Sequence, residues 1–305
     1  PASIRVWDAQ GRRFTEESFE GSATTNHVVF DAEGRRIASG SVDGSVAIHD
    51  RATGESLSLG EGRAHTEAVY SLAFDPGGGL LASASWDGLV RVWNAETGEL
   101  VHSLEGHAGV ASLVEFDASG ERLLSASGPP RGEFTSDDTV RVWDVASGAS
   151  LLVFEEHDGP VTSAHFDPGG GRVLSTSYDR TARLWDARSG EVLRTLSLPG
   201  VCWWGDLAPD GSSLAVAFDA GWLLVDLVSG REERFGPYDA HDGRAVIDVQ
   251  FSPRGDQLLT VSYDRVGCVW DLSPDRRPEI ARRLRGHVGQ TCFGSWSPDG
   301  STIAM

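Results

Sequence analysis

Hydrophobic positions along this chain fall in short segments, and none keeps a helical period over a useful length. Gly, Pro, Asp and Ser interrupt the chain about every eight to twelve residues. Between the interruptions lie apolar, β-prone runs such as Leu80-Leu-Ala-Ser-Ala-Ser85 and Val90-Arg-Val-Trp93. That texture predicts an all-β protein of many short strands.

The runs repeat. A short strand ending in Trp-Asp, or a remnant of it, recurs as Val6-Trp7-Asp8, Ile48-His49-Asp50, Val92-Trp93-Asn94, Val142-Trp143-Asp144, Leu184-Trp185-Asp186, Leu224-Val225-Asp226 and Val269-Trp270-Asp271. Counted from the first residue of each closing pair, the steps are 42, 44, 50, 42, 40 and 45 residues. Each step carries the same parts in order: a loop with His or Gly-His, a β-rich segment ending like Phe74-Asp75-Pro76, an apolar segment running into Ser-x-Ser-x-Asp, the Trp-Asp strand, and a fourth strand.

One Trp-Asp pair would carry no weight, but seven in phase with three other positions do. These units resemble WD repeats, which have about 40–45 residues and four strands per blade of a β-propeller. The resemblance covers essentially the whole chain. It implies an all-β, seven-bladed β-propeller of four-stranded antiparallel blades.

The resemblance also implies a hydrogen-bonded relay inside each blade. A His before the first strand meets the Asp of the turn between strands two and three, and a Ser or Thr of strand two. That hydroxyl meets the Trp indole of strand three. Each of these groups costs free energy if buried unpaired, and the relay pairs them all. The spacing places Ser four residues before Asp, and Trp six after it. Three blades follow it: His65, Ser83, Asp87 and Trp93; His157, Ser175, Asp179 and Trp185; His241, Thr260, Asp264 and Trp270. A fourth set, His107, Ser125, Asp137 and Trp143, requires eight residues inserted after Ser125, which explains the long step. Two blades are degenerate. One keeps Ser39 and Asp43 but has Gly21 and His49 where His and Trp belong. The other keeps only Asp219, with Ala215 and Val225 at the Ser and Trp positions.

A His-Asp-Ser set invites comparison with a catalytic triad. A triad is needed once, whereas this constellation occurs in full four times, and a nucleophilic Ser must be exposed beside an oxyanion site. The spacing brings no three metal ligands together. Neither a phosphate-binding Gly-x-x-x-x-Gly-Lys nor a Gly-x-Ser-x-Gly elbow is present. The two Asp-Pro-Gly-Gly-Gly stretches, from Asp75 and Asp167, read as tight turns. No catalytic residue, metal or cofactor is expected.

The ends suggest closure. The tail from Gly286-His287 would supply two strands of a last blade, and the head from Pro1 to about Phe19 the other two. Residues 1–305 would then form one domain, with 1–19 and 286–305 together making the closing blade and leaving no free sheet edge. The alternative is a window on a longer array. A start at Pro1, with the only Met at position 305, reads as a piece of a larger chain, as in bacterial multidomain proteins.

Charge narrows the partners. Forty-five acidic against 26 basic residues give a formal net charge of −19. Such a surface repels nucleic acid and anionic lipid, and favours a basic or neutral protein partner. No apolar run reaches membrane-spanning length. Every basic residue is Arg, which excludes a lysine nucleophile. Cys202, Cys268 and Cys292 follow no metal or redox spacing and read as reduced core thiols of a cytoplasmic protein. His27, His49, His102 and His165 fall outside the relay and receive no role.

Function in such a fold resides in what varies between blades. Before the turn Asp stand Trp86, Tyr178, Phe218 and Tyr263, with Val42 and Ser136 elsewhere. Four residues before the Phe of Phe-x-Pro, or its equivalent, stand Tyr70 and Trp203, with Asn26, Ser112, Thr162, Ile247 and Cys292 elsewhere. The insertion from Gly128 to Thr135 offers Arg131 and Phe134. By the resemblance these positions share the face around the central channel. Tyr70, Trp86, Arg131, Phe134, Tyr178, Trp203, Phe218 and Tyr263 are therefore the candidate partner-binding residues of a non-catalytic scaffold or sensor, a monomeric propeller within a larger chain. Two alternatives stand beside it: a propeller hydrolase or lyase with a site in the channel, and a propeller that only packs against other domains. An aromatic before the turn Asp can equally pack over a neighbouring blade.

Overall fold

The computed structural model describes residues 2–4, 19–21, 24–128, 137–272, 277–285, 294–297, 299–301 and 303–304. Trp7, the loop with Arg131 and Phe134, Ser136, His287 and Cys292 lie outside the described residues. The chain divides into two compact units, Pro1–Glu156 and His157–Met305.

In unit one, β1 (Ala2–Ile4) pairs antiparallel with β2 (Phe19–Gly21). Sheet one holds β3 (Thr25–Phe30), β4 (Arg36–Ser41), β5 (Val46–Asp50) and β6 (Ser56–Ser58). Sheet two holds β7 (Val69–Phe74), β8 (Leu80–Ser85), β9 (Val90–Asn94) and β10 (Leu100–Leu104). Sheet three holds β11 (Ala111–Phe116), β12 (Arg122–Ser127), β13 (Val140–Asp144) and β14 (Ser150–Phe154).

Unit two begins with sheet four: β15 (Val161–Phe166), β16 (Arg172–Ser177), β17 (Thr181–Asp186) and β18 (Val192–Ser197). Sheet five holds β19 (Cys202–Leu207), β20 (Ser213–Phe218), β21 (Gly221–Asp226) and β22 (Glu232–Phe235). Sheet six holds β23 (Val246–Phe251), β24 (Gln257–Ser262), β25 (Gly267–Asp271) and β26 (Glu279–Leu284). A hairpin of β27 (Ser295–Trp296) and β28 (Ile303–Ala304) follows. The only α-helix among the described residues is the single turn Pro237–Ala240. The protein is thus all-β, built from six complete four-stranded antiparallel meanders, the repeating unit of a multi-bladed β-propeller.

Within each unit the core lies between the faces of successive sheets. The second strands β8, β12, β16, β20 and β24 are buried along nearly their whole length, because both faces are covered. Ala82, Ala84 and Val92 of sheet two meet Ala111, Val114, Phe116 and Trp143 of sheet three. Leu174 and Leu184 of sheet four meet Cys202, Leu214 and Leu223 of sheet five. Small residues let the sheets approach. A Cβ at Gly40 would lie 2.6 Å from Val69 Cγ1, so sheet one meets sheet two there only with glycine.

A second device joins neighbouring sheets, and the repeat pattern did not reveal it. Arg172 Nε donates to Asp167 Oδ2 at 2.9 Å, while its Nη2 donates to the Gly211 carbonyl of the next sheet at 2.9 Å. Arg36 does the same between Asp31 and the Gly78 carbonyl. Charge-assisted bonds of this kind are worth more than neutral ones. Arg172→Ala is expected to lower the stability of unit two by about 1–2 kcal/mol. An unchanged urea midpoint would remove the clasp from any stabilising role.

Candidate functional site

The relay residues stand within hydrogen-bond distance in four sheets. In sheet two, His65 Nδ1 is 3.1 Å from both Asp87 oxygens, His65 Nε2 is 2.7 Å from Ser83 Oγ, and Trp93 Nε1 donates to Ser83 Oγ at 2.9 Å. In sheet three the links are His107–Asp137 at 3.0 Å, His107–Ser125 at 2.8 Å and Trp143–Ser125 at 2.8 Å. In sheet four they are His157–Asp179 at 2.9 Å, His157–Ser175 at 2.8 Å and Trp185–Ser175 at 3.1 Å. In sheet six they are His241–Asp264 at 3.1 Å, His241–Thr260 at 2.8 Å and Trp270–Thr260 at 3.0 Å. One placement of protons satisfies every link: indole N–H to hydroxyl oxygen, hydroxyl O–H to Nε2, and Nδ1–H to carboxylate.

Burial alone would raise the Asp87 carboxyl, but the hydrogen bond from His65 and the amides of Thr66 and Leu89 outweigh it and hold it at about 2. Asp137 and Asp179 are lowered against burial in the same way by His107 and His157. Ser83, Ser125, Ser175 and Thr260 are all fully buried, so none is an accessible nucleophile.

The relay's consequence for the surface lies one residue away. Asp87, Asp179 and Asp264 directly follow Trp86, Tyr178 and Tyr263. Asp87 also accepts the Thr66 and Leu89 amides at 3.0 Å, so the turn is pinned from both sides. The Trp86 amide donates to the Ala68 carbonyl at 2.9 Å, and the Tyr178 amide to the Pro160 carbonyl at 3.0 Å. Each aromatic therefore projects from a rigid turn.

The second set of positions has its own local cause. Every first strand slips register by one residue, leaving Asn26, Tyr70, Ser112, Thr162, Trp203 and Ile247 as the unpaired residue of a β-bulge. A bulge takes a side chain out of the ladder's alternation and re-aims it. Not all six are free to bind. Thr162 donates to the Cys202 carbonyl at 2.6 Å, Asn26 to the Val69 carbonyl at 3.3 Å, and Ile247 is buried.

Two aromatic pairs result. In unit one, Tyr70 and Trp86 meet edge-to-face with centroids 5.5 Å apart, and Trp86 is 41% exposed. In unit two, Tyr178 and Trp203 meet edge-to-face at 5.5 Å. Tyr263 is exposed and lies close enough to Tyr178 to help burial raise the Tyr178 hydroxyl's pKa.

Phe218 requires correction. It is only 2% exposed and packs with Cys202, Leu214 and Leu223. The β20–β21 turn is one residue shorter than its counterparts, and Phe218 pairs with both Cys202 and Gly221. That is the place of Ser177 in sheet four, where Ser177 pairs with Val161. The shortened turn moves Val216, not Ala215, to the relay-hydroxyl position, opposite Gly205 and Leu223. It also moves Asp219 to the position of Trp86 and Tyr178, its amide donating to the Val201 carbonyl at 3.1 Å. Asp219 is exposed, accepts the Trp203 indole N–H at 2.7 Å and the Val201 amide at 3.0 Å, and takes no part in a relay.

The two degenerate sheets compensate differently. In sheet one His49 takes over the tryptophan's role, with Nε2 2.9 Å from Ser39 Oγ and Nδ1 2.7 Å from Ser56 Oγ. The signal was readable, since His is the one other ring at that position able to donate to Ser39. In sheet five no relay remains. Trp222 stacks on Phe235 at 4.1 Å and meets Trp270 of sheet six at 4.9 Å, filling the space with aromatic carbon. The two described cysteines are buried, with thiols pushed up by burial, Cys268 to about 11.

Comparison with known proteins agrees with this architecture. The model of the family described as WD domain, G-beta repeat, matches residues 15–50, 57–94, 98–144, 148–186 and 233–271. Those matches pass over most of sheet five, whose relay is gone. Echinoderm microtubule-associated protein-like 3 of Homo sapiens is 31% identical over 131 residues, covering 41% of this chain and 14% of that protein. Transcriptional corepressor LEUNIG_HOMOLOG of Arabidopsis thaliana is 29% identical over 137 residues, covering 42% of this chain and 16% of that protein. The aligned part of the chain thus spans less than a fifth of either relative. With five repeats matched over more than half its length and the His–Ser/Thr–Trp–Asp relay in four sheets, the chain belongs to the WD-repeat family.

Proposed function

We propose that this chain is a non-catalytic protein-interaction module that docks a peptide or loop of a partner on its aromatic pairs. The observation that carries the reading is the bracing of Trp86 and Tyr178 by relay-pinned turns, each in edge-to-face contact with an aromatic from a β-bulge, Tyr70 and Trp203. A rigid, partly exposed Trp or Tyr offers large contact area at little entropic cost, which is what binding hot spots require. One relative is named microtubule-associated protein-like and another a transcriptional corepressor, and neither name is that of an enzyme. The net charge of −19 favours a basic or neutral partner and speeds its encounter.

The test uses a partner captured from the source cell, identified, and purified. Its titration against the wild-type chain and against Trp86→Ala and Trp203→Ala is expected to show at least about tenfold weaker binding for one variant. Circular dichroism establishes that the variants are folded. Equal affinities throughout would overturn the aromatic pairs as docking sites.

A further inference from the structure

The shortened turn of sheet five leaves a carboxylate where the other sheets place Val42, Trp86, Tyr178 and Tyr263. Asp219 is held by two hydrogen bonds, one from the Trp203 indole at 2.7 Å and one from the Val201 amide at 3.0 Å. Each bond uses one lone pair of a different oxygen, so each oxygen keeps a further acceptor site. No cation pairs with Asp219 among the described residues, and it stays exposed. Beside it stands the edge-to-face pair Tyr178–Trp203, and the exposed Tyr263 lies near Tyr178. The result is a fixed negative charge, unneutralised, framed by aromatic rings.

We propose that Asp219, with Trp203, Tyr178 and Tyr263, forms a binding site for an arginine side chain presented by the partner. The inference rests on the docking reading above and names the chemistry of one of its contacts. A guanidinium suits the site better than an ammonium. Its fork can reach the free lone pairs of both Asp219 oxygens while its plane lies on a tyrosine or indole ring. A bare carboxylate on an apolar surface would bind any cation weakly, and the rings supply the preference for a flat one. The Tyr70–Trp86 pair of unit one has an aromatic at the position Asp219 occupies in sheet five, and so predicts no such preference there. The overall acidity brings a basic segment near the surface, and the fixed carboxylate then selects where the arginine lands.

The experiment uses the whole chain, with its tryptophan indole N–H resonances observed by NMR and Trp203 assigned through Trp203→Phe. The probes are the peptide acetyl-Gly-Ser-Arg-Ser-Gly-amide and the same peptide with citrulline, which keeps the shape and loses the charge. The arginine peptide is expected to move the Trp203 resonance with a Kd of about 1 mM, and the citrulline peptide to bind roughly tenfold more weakly. Asp219→Asn should abolish the difference between the two peptides. Glu96→Gln, the same charge change at an exposed position of unit one, should preserve it. Equal binding of both peptides, or equal movement of the Trp86 resonance, overturns the arginine site whether or not Asp219→Asn folds. If the purified partner still loses affinity with Trp86→Ala or Trp203→Ala, the docking reading survives that failure. If it does not, both fall.

Discussion

Alanine at Trp185 is expected to destabilise unit two by about 3–5 kcal/mol, close to the whole stability of many small domains. Trp185 is fully buried, and its removal both opens a cavity and leaves the Ser175 hydroxyl without the indole it accepts from. Phenylalanine separates the two costs. Trp185→Phe keeps most of the ring but deletes the donor, and should still lose about 1–3 kcal/mol. Trp222 is an internal control, since it is equally buried but its indole nitrogen has no hydrogen-bond partner among the described residues. Trp222→Phe should therefore cost clearly less than Trp185→Phe, because it also relieves an unpaired polar group. Urea unfolding of the three single variants measures this. Equal losses for the two phenylalanine variants would show that the relay adds nothing beyond ring packing.

The second large effect is a pH dependence centred on Asp248. This residue is fully buried on β23, accepts the Gly294 amide at 2.8 Å, and its other oxygen has no hydrogen-bond partner among the described residues. Burial pushes its carboxyl up to about 7 against the hydrogen bond from the Gly294 amide, with Asp206 adding to the rise and His165 opposing it. The sign follows from linkage. Between about 4 and 7 the unfolded chain releases this proton and the folded chain keeps it, so stability falls as pH rises and the full cost is present above 7. That cost is on the order of 4 kcal/mol at pH 8. Asp87, Asp137 and Asp179 act oppositely. Their lowered carboxyls contribute stability above pH 4 that is lost as pH falls towards 2. Asp248→Asn keeps an acceptor for Gly294 and removes the titration. It should stabilise the protein by about 1–3 kcal/mol at pH 8 and by nothing at pH 4, where Asp248 is already neutral. The same shift in urea midpoint at both pH values would mean that Asp248 is ionised in the folded protein throughout.

The relay sets were legible because their spacing is imposed by strand register. Ser on strand two pairs with the residue two before Trp on strand three, so the two side chains share a face as diagonal neighbours, and the turn between the strands has one usual length. The aromatics at Trp86, Tyr178 and Tyr263 were legible for the same reason. Phe218 was not, because the chain does not announce a turn shortened by one residue. A period-2 structure turns such a slip into an exchange of inside for outside, so Phe218 went into the core and Asp219 took the surface place. The role of His49 was available in its chemistry but needed the nearby Ser56 to be seen.

The sequence by itself determined the all-β class, the family and the four relays, since these depend on periodic local pattern and on pairing within one sheet. Only the tertiary structure decided the rest. The bulges that re-aim Tyr70 and Trp203 and the shortened turn that exposes Asp219 are single-residue departures of register within a sheet, and the Arg172–Gly211 clasp and the burial of Asp248 arise where one sheet meets the next. There, sub-ångström packing and single-residue register outweigh any propensity the chain displays along its length.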